Sequence, residues 1–151
     1  MEKVKVFVTG LAGAFFSWLG ILAIPVLLMI GTNILDYVTG LLASPHRGEN
    51  VNSYKGIRGI IKKVCMWLLV VVGAMIDQLI LYATDTVGLT IQINFLVATI
   101  VAVWIICNEI ISILENMVDI GVNIPPFLLP LVKNIKKQTE NRIDTEEESE
   151  A

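Results

Sequence analysis

Ile34 to Lys63 reads ILDYVTGLLASPHRGENVNSYKGIRGIIKK, and the layout of the chain follows from it. A carboxylate, Asp36, sits inside an apolar run. A short loop of Pro, His, Arg, Gly, Glu and Asn follows, and the stretch closes on Lys55, Arg58, Lys62 and Lys63. The hydrophobic segments on either side are too long and too bare of charge for a soluble protein. A helix entering and a helix leaving a positively charged, cytoplasmic loop satisfies all of these features.

The rest of the chain agrees. Of 151 residues, 55% are hydrophobic and 17% charged, and the charge is segregated into Met1–Lys5, the first loop and the tail. That pattern marks an integral membrane protein of all-α class. The net charge of −3 comes from the end of the chain, where Glu146, Glu147, Glu148 and Glu150 cluster. The flanks of the apolar runs are basic, with no surface suited to nucleic acid. Cys65 and Cys107 lie in apolar runs and read as small hydrophobes.

From Val6 to Ala43 the chain is apolar enough for one helix of about 57 Å, nearly twice a ~30 Å hydrocarbon core. The run must therefore break near Gly20–Pro25, with Pro25 the strongest breaker. This gives hydrophobic segments over 6–24 and 25–43. Two more follow over 64–83 and 90–111, and FLLPLVKNIKK over 127–137 suits the membrane surface. Three of the four are clear spans. The first either spans or lies at the interface, so three and four crossings both stay open. Residues 1–137 form the membrane domain, and 138–151 form a charged tail expected to be disordered.

Lys and Arg set the orientation. The first loop carries Arg47, Lys55, Arg58, Lys62 and Lys63, and the tail Lys133, Lys136, Lys137 and Arg142. The turn at Asp85 has none. The first loop and the C-terminus are therefore expected on the cytoplasmic side.

Polar groups inside apolar segments are the candidate functional residues, because a buried ion must find a partner or water. Thr32, Asp36, Thr39 and Gly40 share a face of one span, and Asn108, Ser112, Glu115 and Asp119 share a face of another. Helical rise puts Asp36 and Glu109 at similar depth in the cytoplasmic half, near Lys62 and Lys63, and pairing among these four is expected. Asp77 lies roughly 21 Å beyond Lys63, with no basic partner in the adjoining spans. Gly10, Gly13, Ser17 and Gly20 form a smooth stripe that lets another helix approach closely. Nothing suggests an enzyme, a cofactor or a metal. His46 reads as a solvated loop residue, and the GxxG at Gly56–Gly59 is not preceded by a strand.

Several of these residues fall in an ordered set. Leu35-Asp36-Tyr37 and Thr39-Gly40 come first, then Ser53, Lys55-Gly56, Gly59-Ile60 and Lys62-Lys63. Asn108-Glu109, Ser112 to Asn116, Gly121 and Ile124-Pro125 complete it. In this order they resemble the toxin-secretion/phage-lysis holins of bacteriophages and clostridia. The resemblance implies a homo-oligomer in the bacterial cytoplasmic membrane. Its lesions would release a phage endolysin, or a large protein toxin, without stable binding to that cargo. Two other readings remain at this stage. A small ion channel or transporter subunit would account for the intramembrane carboxylates. A non-lytic inhibitor or scaffold would account for the glycine stripe.

Overall fold

A computed structural model describes residues 2–49, 53–89 and 95–147, without the side chains of residues 15, 16, 18, 19, 53–55 and 142–147. Five helices follow in order: α1 (Glu2–Leu19), α2 (Ala23–Ala43), α3 (Ser53–Thr86), α4 (Leu96–Ile120) and α5 (Leu128–Glu147). Among the described residues, three segments are long and apolar enough to cross a membrane: Gly20–Arg47, Gly56–Thr86 and Leu96–Ile120. α1 is only 18 residues long and begins with Glu2, Lys3 and Lys5, so it stands as an additional N-terminal helix. The chain is a multi-pass membrane protein.

The expected break falls at Gly20 rather than Pro25. Gly20 has φ +52°, a left-handed conformation that glycine adopts without a Cβ clash, and a 3-10 turn over Gly20–Leu22 joins the two helices. Pro25 lies in the first turn of α2, where its missing N–H breaks no helical bond.

α3 is longer than the hydrophobic segment within it. It begins at Ser53, so Lys55, Arg58, Lys62 and Lys63 lie on its first turns and not in a loop. Ile57, Ile60, Ile61 and Val64 continue the apolar spacing of the span back through the basic stretch. Of the basic set only Arg47 precedes the helix, in a 3-10 turn over Ser44–Arg47. The side chain of Lys55 and that of Arg142 lie outside the described residues.

α4 also runs past its apolar segment, to Ile120 rather than Ile111. Gly121 stops it at φ +95°. Its N–H reaches Val118 O and the N–H of Val122 reaches Met117 O, both at 2.9 Å, which satisfies carbonyls the helix end would leave open. At the other end α4 starts at Leu96, and the expected start of its segment at residues 90–94 lies outside the described residues. α5 likewise passes Lys137 and continues to Glu147, supported by a Lys136–Glu140 pair one turn apart.

α4 is the central element and packs against α2, α3 and α5. One cluster joins Leu22, Val26 and Met29 with Val70 of α3 and Ala98, Ala102, Ile105 and Ile106 of α4. The alanines are fully buried. In lipid there is little hydrophobic gain from helix contact, so small residues that allow close approach contribute through dispersion packing. A second cluster places Cys107 and Leu114 against Val132 of α5. Cys65 is exposed.

Candidate functional site

The polar residues of three spans meet at Lys63. Its ammonium donates to Asp36 Oδ2 at 2.8 Å and also to Glu109 Oε2, so one cation from α3 joins a carboxylate of α2 to one of α4. The three side chains are 18%, 17% and 6% exposed, which removes most of the solvent screening that weakens surface pairs. Lys62, one residue earlier, is exposed. Adjacent helical residues point about 100° apart, and only Lys63 faces the other spans.

Asn116 extends the network toward the end of α4. Its Nδ2 donates to Thr39 Oγ1 at 3.1 Å and to Asp36 Oδ1 at 3.3 Å. Its Oδ1 accepts from Arg47 Nη2 at 2.5 Å, and Arg47 Nε also donates to Asp119 Oδ2 at 2.5 Å. Thr39 turns its own hydroxyl proton to Leu35 O at 2.8 Å, which leaves its oxygen free to accept. Gly40 lies beside the amide, where an added Cβ would be 3.6 Å from Asn116 Nδ2. The result is a continuous chain: Asp119, Arg47, Asn116, Asp36, Lys63, Glu109. Broken at any buried ion, such a chain strands an uncompensated charge, which costs roughly 3–5 kcal/mol.

Asp77 is placed differently. It is fully buried, and its two oxygens accept the backbone N–H groups of Val97 and Ala98, each at 2.9 Å. These are orphan donors of the first turn of α4, where the helix dipole also favours an anion. Asp77 therefore needs no basic partner. One turn earlier on α3, a Cβ on Gly73 would lie 2.9 Å from Ala98 Cα. Only hydrogen fits there, and this contact sets the distance over which Asp77 reaches its two donors.

Several expected residues of α4 lie off this line. Asn108 and Ser112 are half-buried and Glu115 is exposed, so the stripe they share is turned about one residue away from the buried line of Glu109 and Asn116. Asp119 of that stripe does join, through Arg47. Arg58 is exposed. Gly10, Gly13, Ser17 and Gly20 are exposed, and an added Cβ at the three glycines meets nothing within 4 Å. Sequence reasoning missed Asn116 as a network member and Arg47 as its partner. The available signal was the interval of seven from Glu109 to Asn116, two helical turns on one face.

α5 adds a charged surface on the opposite side of α4. Val132 is buried against α4, Trp104 Nε1 donates to Glu140 Oε1 at 2.8 Å, and Lys136 Nζ lies 5.3 Å from the Trp104 ring centre. Trp104 is about 24 Å along α4 from Ile120, well within a hydrocarbon layer. Each ion held at such depth against lipid costs about 2.5–3.5 kcal/mol on insertion scales.

Known proteins resemble this chain over most of its length. The model of the bacteriophage holin family matches residues 13–137. An uncharacterized protein of Listeria monocytogenes, Lmo0128, is 36% identical over 80% of this chain and 78% of its own length. An uncharacterized protein of Clostridium perfringens, CPE0383, is 32% identical over 83% of this chain and 86% of its own. A protein of Bacillus phage phi105 named as a probable holin is 24% identical over 81% and 82%. No solved structure matches.

Proposed function

The chain belongs to the bacteriophage holin family, and we propose that many copies assemble in a bacterial cytoplasmic membrane into large, non-selective lesions. The family is one of membrane lysis proteins rather than of enzymes. In this reading the cargo is a folded phage endolysin, or a large protein toxin, and it passes without being bound. The first loop and the C-terminus face the cytoplasm, on the Lys and Arg asymmetry of the flanks.

The observation that carries the reading is the Lys63 network. It ties α2, α3 and α4 into one unit whose buried charges are answered inside a single copy. Such a unit can accumulate harmlessly in lipid, since no ion of this network has to find a partner elsewhere. Three spans are too few to enclose a wide conduit, so any opening for a folded protein lies between copies. The stripe of Gly10, Gly13 and Ser17 on α1, which Gly20 leaves at the helix break, then serves contact between copies, because nothing in the described chain occupies it.

Inducible expression in a bacterium, with and without a co-expressed wall hydrolase, tests this. Turbidity should collapse abruptly only when both proteins are present. A selective, saturable current without hydrolase release would identify a channel subunit instead. The absence of both would identify a scaffold or inhibitor.

A further inference from the structure

Resting on that reading, we propose that the α5-bearing side of α4, around Thr99, Val103 and Trp104, is the wall that faces water in the assembled lesion, with α5 folded onto it as the lining. The other candidate wall is the Asp36–Lys63–Glu109 face, and its ions are bonded to one another within one copy. Water offers them little that they lack.

α5 is built the opposite way. Leu128, Leu129 and Val132 turn toward α4, while Lys133, Asn134 and Lys137 are exposed on the far side of α5. The Trp104–Glu140 bond holds this charged face level with the middle of a span. Lipid on that side would strip several ions of solvent at once. Water on that side removes the penalty and leaves the apolar packing, the indole bond and the Lys136 contact with the Trp104 ring intact. On α3, the exposed side chains Leu68, Val71, Met75 and Leu79 are apolar and suit lipid. The molecule therefore has a greasy side and a charged side, and only the charged side requires water.

A copy dispersed in lipid has no water beside α4. There α5 lies off α4, along the headgroups, with Lys133, Lys136 and Lys137 among lipid phosphates. Gly121 at φ +95° and the pair Pro125-Pro126 separate the two helices, and neither prolongs α4 into α5. Lesion assembly and α5 docking are then one event.

The test uses the full chain in phosphatidylethanolamine–phosphatidylglycerol vesicles loaded with fluorescent dextran. Val103 and Thr139 line a groove between α4 and α5. Val103→Cys with Thr139→Cys, in a Cys65→Ser, Cys107→Ala background, is treated with a short bis-maleimide at rising protein density. The expected result is a rise of about tenfold in intramolecular cross-link at the density where dextran escapes. Adding Glu140→Ala should lower both the cross-link yield and the escape. Dextran escape with an unchanged cross-link overturns the inference and leaves the proposed function standing, as does an equally strong cross-link in tight, dilute vesicles. No escape at any density removes the proposed function and the water-facing wall with it.

Discussion

Lys63 answers two carboxylates with one positive charge, so the consequences of removing each member differ in kind. Lys63→Met leaves Asp36 and Glu109 as facing like charges with no cation, and should destabilise the helical unit by about 3–5 kcal/mol. Asp36→Leu leaves Lys63 paired one to one with Glu109 and should cost less, while changing the moment of lysis in cells. Unfolding in mixed detergent micelles ranks the two. Equal losses would mean that Lys63 is not what holds the carboxylates. That a lysine meets Asp36 and Glu109 was legible in the sequence, because helical rise fixes depth. The choice between Lys62 and Lys63 was not, because one residue rotates the side chain to another face and the packing of three helices selects it. Asp77 was legible only as a residue without a cation. Its partners are backbone N–H groups that exist as free donors only once α4 begins at Leu96.

At the scale of elements, the α3–α4 pair is fixed by a glycine contact and a cap one turn apart. Gly73→Ala drives a methyl group into the backbone of Ala98, which cannot yield as a side-chain tip can, and should cost about 1–3 kcal/mol. Asp77→Ala unmakes the cap directly. Because spreading the helices already breaks the cap, the double variant should lose less than the sum of the two single losses. Thermal unfolding in one detergent measures all three, and strict additivity would show that the contact and the cap act separately. The spans themselves were legible because hydropathy reports what must sit in hydrocarbon. Helix ends were less so, since a helix need not stop where the hydrocarbon does. α3 reaches back to Ser53 through basic residues, and α4 runs past Glu115 and Asp119 to a glycine cap at Gly121. The break between α1 and α2 lies at Gly20 because a left-handed residue redirects the chain, whereas Pro25 fits a helical first turn.

In the molecule as a whole, the described residues of one copy enclose no conduit between the spans. α4 is packed on α2, α3 and α5, and the charges between the spans are bonded to one another or, at Asp77, to the first backbone N–H groups of α4. On the proposed function, permeation therefore depends on how many copies share a patch of membrane. Release of a trapped dextran should be negligible at low protein density and then rise with a log–log slope well above one, each vesicle emptying completely or not at all. Small dye and dextran should leave at the same density, because a gap between copies wide enough for a folded enzyme does not discriminate among smaller solutes. Both are read in one vesicle preparation carrying two fluorophores. A slope near one, or dye lost while dextran stays, would assign the opening to the interior of a single copy. The Lys63 network leaves no space for one there.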